Sequence, residues 1–281
     1  MSGIILTATG SLGGLTITGT GAADSGGIIQ HTTGSAIAAT DTQDLSLTRI
    51  KIDVPGNHGI DAQNLRGTGM LANSSILDWT NATGDGVTIV NNNANLTLFT
   101  ITGTTFNGTA TNNDGVFMEA QGTSNMELSI EGNSLFTDMF GDGVQVNGIT
   151  GATGDVRVTV KNSTFNNAAV LGSGGIQLNP FGGVNFFALI DNNLLETIMR
   201  PVSNAGAIGM TNGLTADADI TVRNNTLNDI VGARGITITA DGTGATRLLF
   251  DNNNIDRLGS SSKSAISVNL AGATTTAHAT V

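Results

Sequence analysis

Apolar and polar residues alternate in short runs along this chain. Val156, Val158 and Val160 are separated by polar residues, as are Val144 and Val146. A period of two buries one face of a strand and leaves the other in water. No segment shows a helical period with start and stop signals. The runs themselves recur. Gly or Ala followed by Ile or Val occurs at Ala36-Ile37, Gly59-Ile60, Gly86-Val87, Gly115-Val116, Gly143-Val144, Gly175-Ile176, Ala207-Ile208, Gly235-Ile236 and Ala265-Ile266, in steps of 23, 27, 29, 28, 32, 32, 28 and 30 residues. A second column with the same period reads Ile17, Leu47, Leu71, Ile101, Ile130, Val160, Ile190, Val222, Phe250 and Val281. Self-similarity at such a period marks a solenoid, a propeller or an array.

Each unit holds two or three short strands in about 30 residues, fewer than the four-stranded blade of a propeller requires. Stacked coils of a β-solenoid fit better, with equivalent residues in columns about 4.8 Å apart. Ten passes at that rise predict a rod roughly 45 Å long. The pattern therefore predicts an all-β chain of about nine to ten coils, with residues 1–281 forming one solenoid domain.

Asparagine marks the corners. Asn162-Ser163, Asn192-Asn193, Asn224-Asn225 and Asn252-Asn253 occupy one position of the repeat. Asn tolerates the left-handed backbone of a tight corner, and stacked Asn side chains hydrogen-bond as a ladder. Asn162, Asn192, Asn224 and Asn252 are therefore assigned to a structural ladder. The apolar residues that follow, Ile76, Phe106, Leu135, Phe165, Leu195, Leu227 and Ile255, are expected to point inward as a core column.

Composition sharpens this picture. The 281 residues include 39 Gly but no Cys, so disulfide staples and thiolate zinc are excluded. Charged residues make up only 12%, and 11 bases against 22 acids give a net charge of −11. Such a surface repels nucleic acid. No apolar run approaches the roughly 20 residues of a membrane span, and no signal peptide is visible, so any export signal lies outside this chain. His31, His58 and His278 are isolated and give no zinc constellation.

The strings "VKNSTFNN", "VRNNTLND", "GDGV", "GGIQL" and "RGITI" resemble the repeats of right-handed parallel β-helix, or pectin-lyase-like, proteins. The resemblance covers almost the whole chain and implies the right-handed coil. The family includes polysaccharide lyases and hydrolases, tailspikes, autotransporter passengers and large bacterial surface adhesins. It specifies fold far better than function. The enzyme signatures fit poorly: Arg49-Ile50-Lys51 and Gly56-Asn57-His58-Gly59 precede the acidic residues, the reverse of the order in polygalacturonase-like enzymes, and there is no Asp-Asp pair. Sugar-stacking aromatics are also scarce, with Trp79 the single Trp and no Tyr.

Two charge patterns remain. Glu131, Lys161, Asp191, Arg223 and Asp251 form one outward column, and Glu127, Arg157, Phe187, Asp219 and Arg247 another. Opposite charges on adjacent strands support the sheet by up to about 1 kcal/mol a pair. The corner before the Gly-Val step is different: Asp85, Asp114 and Asp142 follow one another with no base between, and Glu119 and Asp61 lie on outward positions nearby. Asp-Gly is good turn chemistry. Stacked carboxylates can also bind a cation such as Ca²⁺ or act as an acid pair on a glycan. Asp85, Asp114 and Asp142 are thus the candidate metal ligands, and with Glu119 the candidate catalytic acids of the alternative reading, a carbohydrate-active lyase, hydrolase or tailspike-like depolymerase.

No capping helix is evident at either end, which points to a segment of a longer protein or a subunit covered by its neighbours. The leading expectation is a non-enzymatic structural or interaction solenoid of a secreted or cell-surface bacterial protein, an adhesin stalk or self-assembling fibre. Its expected partners are neighbouring repeats or further copies stacked end to end, and a host or glycan surface.

Overall fold

The structure is a computed structural model and describes residues 1–9, 13–109, 111–166, 174–199, 206–258 and 264–271. All regular structure among the described residues is β-strand. The strands form three parallel sheets. The first has ten strands, from Ile4–Thr7 to Ile266–Leu270. The second has nine, from Leu15–Ile17 to Thr246–Asp251, and the third nine, from Gly27–Gln30 to Asn254–Leu258. The chain visits the sheets in rotation, so each strand pairs with the strand one coil away. This is a parallel β-solenoid of the right-handed type. Between the first and last strands of the second sheet it makes about eight turns. The nine to ten coils expected from the repeat slightly overstate this, because counted strands exceed the turns between them by one.

The strand registers match the sequence columns. Ile37, Ile60, Val87, Val116, Val144, Ile176, Ile208, Ile236 and Ile266 are successive partners, and Ile4 extends the column by one coil. Ile17, Leu47, Leu71, Ile101, Ile130, Val160, Ile190, Val222 and Phe250 pair likewise, whereas Val281 and His278 lie outside the described residues. Burial follows the period of two: in Val116–Gln121 and Met126–Glu131 alternate side chains are buried and half-buried. The inward residues of all three sheets merge into one core.

One inward assignment is corrected. Phe136, fully buried, takes the place expected for Leu135, which faces outward. The coil carries Gly132 and Asn133 where its neighbour has Asn162 alone, and that added residue advances the next strand by one. The shift completes a stack. The Phe106 and Phe136 rings lie 4.8 Å apart and 4° from parallel, and Phe136 and Phe165 4.7 Å apart and 6° from parallel.

That stack accounts for the glycine after each acid. A Cβ on Gly86 would stand 2.8 Å from Phe106 Cδ1 and 2.6 Å from the Gly115 carbonyl oxygen. On Gly115 it would meet Met139 Sδ at 2.7 Å, Phe136 Cδ1 at 2.9 Å and the Gly143 oxygen at 2.6 Å; on Gly143, Phe165 Cδ1 at 2.5 Å. The glycines let three aromatic rings lie against the neighbouring strand.

Candidate functional site

The corner leading into the first sheet carries His58, Asp85, Asp114 and Asp142 on successive coils. Their carbonyls are in line: Ala36 N donates to His58 O, Gly59 N to Asp85 O, Gly86 N to Asp114 O and Gly115 N to Asp142 O, each at 2.9–3.0 Å. All three acids are buried, with exposures of 3%, 1% and 5%.

The Asp85 and Asp114 carboxylates bind the backbone of the following coil. Asp85 Oδ1 accepts the Asp114 N–H at 3.0 Å, and Asp114 Oδ1 accepts the Asp142 N–H at 2.6 Å. Asp85 also accepts the Asn113 amide at 2.9 Å on Oδ1 and the Thr88 hydroxyl at 2.6 Å on Oδ2. His58 starts the series: its Nδ1 accepts the Asp85 N–H at 3.0 Å, so that nitrogen carries no proton in this arrangement. The same Nδ1 lies 2.8 Å from Thr88 Oγ1 and 3.5 Å from Asp85 Oδ2. His58, Asp85 and Asp114 thus each satisfy an amide that the corner takes out of the strand ladder. A charged acceptor on a buried N–H makes a strong hydrogen bond, and an unmet buried N–H would be costly.

This arrangement organises the corner and offers little to a substrate. The three carboxyl groups are under cover, and those of Asp85 and Asp114 have oxygens committed to neighbouring donors. Glu119 does not join them. It lies five residues beyond Asp114, on the order of 15 Å along an extended strand, where its Oε1 accepts the Gln121 amide at 2.7 Å. Asp61 faces outward opposite Thr88 and accepts from Gln63 at 2.8 Å. Among the described residues, no group of three or more His, Asp or Glu is placed to hold a metal ion.

The Asn corner contains two ladders. Asn162, Asn192, Asn224 and Asn252 all have left-handed φ, between 49° and 56°. Their side chains form an exposed outer row: Asn192 donates to Asn162 Oδ1 at 2.7 Å and Asn252 to Asn224 Oδ1 at 2.9 Å, while Asn224 turns to Asp191 Oδ1 at 2.9 Å. The second residue of each pair forms an inner row, buried at Ser163, Asn193 and Asn225 and half-buried at Asn253. Asn193 Nδ2 donates to Asn225 Oδ1 at 3.0 Å, and Asn225 Nδ2 to Asn253 Oδ1 at 2.9 Å. A third row escaped the sequence reading. Asn95 Oδ1 accepts the Asn125 N–H, Asn125 Oδ1 the Asp155 N–H, and Asp155 Oδ1 the Asn185 amide, at 2.8–3.0 Å. Its signal was an Asn or Asp at or just before the start of consecutive second-sheet strands, at Asn95, Asn125, Asp155 and Asn185.

The outward charges of the second sheet engage one another. Lys161 Nζ lies 2.7 Å from Glu131, Arg223 2.9 Å from Asp191 and Arg247 3.1 Å from Asp219. Arg157 stacks over the Phe187 ring at 4.2 Å. Burial alone would raise the Asp191 pKa, but hydrogen bonds from Arg223 and Asn224 and the nearby Arg223 and Lys161 charges hold it below the usual carboxylate value; the same contact raises that of Arg223.

Two surface clefts lie elsewhere. One of about 340 Å³ runs beside Asn147, Asn179 and Phe181, and another of about 630 Å³ shares Thr150 and Phe181 and reaches Leu214 and Asp241. Neither contains Asp85, Asp114, Asp142 or Glu119. No protein family model matches the chain, and no curated protein or solved structure is significantly similar to it.

Proposed function

We propose that this protein is a non-enzymatic structural and interaction solenoid, an adhesin stalk or fibre element of a secreted or cell-surface bacterial protein with pectin-lyase-like repeats. One observation carries this reading: the acidic residues that most resembled a reactive site are buried, and Asp85 and Asp114 bind the backbone N–H of the next coil through their carboxylates. Two of the acids a depolymerase would use, Asp85 and Asp114, are engaged in holding coils together. The paired charges and Asn rows of the other corners point the same way, since they link each coil to its neighbours. Partners in this reading are adjacent repeats or copies of the chain, and a host or glycan surface.

The test combines electron microscopy with an assay on a panel of acidic and neutral glycans. Extended or stacked rods without cleavage are expected. Isolated short rods that cleave a glycan, with loss of cleavage in Asp114→Asn, would overturn the proposal in favour of a carbohydrate-active enzyme.

A further inference from the structure

Arg49 stands out on two independent grounds. The first is its backbone. At the corner between the second and third sheets, the residues in line are Gly19, Arg49, Asn73, Gly103, the Gly132-Asn133 pair, Asn162, Asn192, Asn224 and Asn252. Every other one is Asn or Gly, the residues that accept a left-handed backbone at least cost. Arg49 has φ of 57° there. Left-handed φ also occurs at Val54, Leu214 and Arg257, so it is the departure from the Asn and Gly of its own column that marks Arg49.

The second ground is its side chain. Seven described bases, Lys51, Arg66, Arg157, Lys161, Arg223, Arg247 and Arg257, pair with an Asp or Glu, and Arg234 has partners of its own. Arg49 alone among the described Arg and Lys residues makes no side-chain hydrogen bond or ion pair, in a protein of net charge −11. It is half-buried and lines a cleft of about 450 Å³. Asp24 lines the same cleft, within 3.5 Å of the Ser75 hydroxyl, yet Arg49 and Asp24 are not within ion-pair distance of each other. Asn73 and Thr105 complete a polar wall.

We propose that this cleft is a binding site for a small zwitterion, a molecule carrying one oxyanion and one protonated amine. The guanidinium of Arg49 presents a fork of donors suited to a carboxylate or sulfonate. The carboxylate of Asp24 takes the ammonium, and Asn73, Ser75 and Thr105 supply neutral hydrogen bonds. The volume lies within the range of small-ligand pockets. Two opposite charges that share a cleft without meeting leave the space between them to a ligand carrying the opposite pair.

A series of ω-amino acids of increasing length is titrated into ¹⁵N-labelled protein, with acetate and methylammonium as the two halves. Arg49→Asn and Asp24→Asn are run beside it. Arg49→Asn installs the residue that the corner uses elsewhere, so it retains the fold, which its amide spectrum verifies directly. The expected result is saturable shifts at the amides of Asp24, Arg49, Ser75 and Thr105, with one chain length preferred. Each variant then binds about tenfold or more weakly, as loss of a charged hydrogen-bonded contact requires. No saturable binding by any member of the series overturns the proposal. So does binding that both variants leave unchanged, or acetate binding as tightly as the best amino acid and indifferently to Asp24→Asn, which would leave a plain anion site.

Discussion

Asp142 donates its backbone N–H to Asp114 Oδ1 at 2.6 Å, and Asp114 donates in the same way to Asp85 Oδ1 at 3.0 Å. The side chain of one coil therefore completes the backbone of the next, at a corner where the strand ladder has not yet begun. Asp114→Ala removes this acceptor and leaves the buried Asp142 N–H unmet, which costs about 1–3 kcal/mol. Asp114→Asn keeps an acceptor oxygen in place and is expected to cost less than half as much. Urea unfolding of the two variants checks this. Equal losses would show that the negative charge, and not the acceptor geometry, holds the corner.

The Asp-Gly-Val repeat was legible as a column, but its meaning was not. Strand position follows from the period of two and the coil length, both of which are visible in the chain. Whether Asp85 points to solvent or to the next coil depends on a rotamer and on Asn113 and Thr88 as partners, which pattern alone does not convey. Phe136 was misread for a related reason. The added residue at Gly132-Asn133 is absorbed within a corner, and only pairing with Phe106 fixes which side chain enters the core. Arg49 enters the sequence reading only within Arg49-Ile50-Lys51, an enzyme-like string in the wrong order, because its oddity appears once the corners are placed in line.

Gly115→Ala tests the close approach inferred for that repeat. The new methyl would meet the Gly143 oxygen at 2.6 Å and Met139 Sδ at 2.7 Å. Overpacking of this kind costs about 1–3 kcal/mol. The column tolerates alanine at Ala207, on a coil whose third-sheet core residue is Leu227, so backbone strain alone is not the cause. Thermal unfolding is expected to show the loss in Gly115→Ala and partial recovery in the double variant with Phe136→Leu.

The aromatic stack itself makes a larger claim. Phe136 lies between Phe106 and Phe165 and is fully buried. Phe136→Ala should cost about 3–5 kcal/mol, with the cavity opening at mid-rod. Phe136→Leu should cost less, since it retains most of the apolar volume. Hydrogen exchange should localise the weakening to the three coils that the stack spans.

Acid titration should expose the charged columns. Asp191 has a folded pKa held below the ordinary carboxylate value of about 3.8, as does Asp44, whose main cause is the Thr68 N–H donating to its Oδ1 at 2.8 Å. A carboxyl with a depressed folded pKa contributes stability that is fully present above its unfolded value and lost as pH falls through the folded one. Asp191→Asn should therefore destabilise the protein above about pH 3.8 and matter progressively less below it. A stability difference from the parent protein that stays constant across that range would contradict the Arg223 pairing.

The buried Asn row predicts the opposite dependence. Asn225 is fully buried, and its Nδ2 donates to Ile190 O at 3.0 Å, Arg223 O at 2.8 Å and Asn253 Oδ1 at 2.9 Å. Asn225→Asp replaces that donor with an oxygen facing three acceptors. The ionised form is then both desolvated and repelled, so its folded pKa rises above the unfolded value. At neutral pH the variant should lose about 3–5 kcal/mol, as for an uncompensated buried charge. As pH falls through the raised folded pKa, the carboxyl takes up a proton and can donate one hydrogen bond, so the gap to the parent narrows. Asn225→Ala, with no titrating group, should lose about 1–3 kcal/mol at every pH. Urea unfolding of both variants at neutral and mildly acidic pH separates the cases. Parallel pH profiles would mean that the amide is turned the other way, with its oxygen toward the carbonyl side satisfied by a different donor.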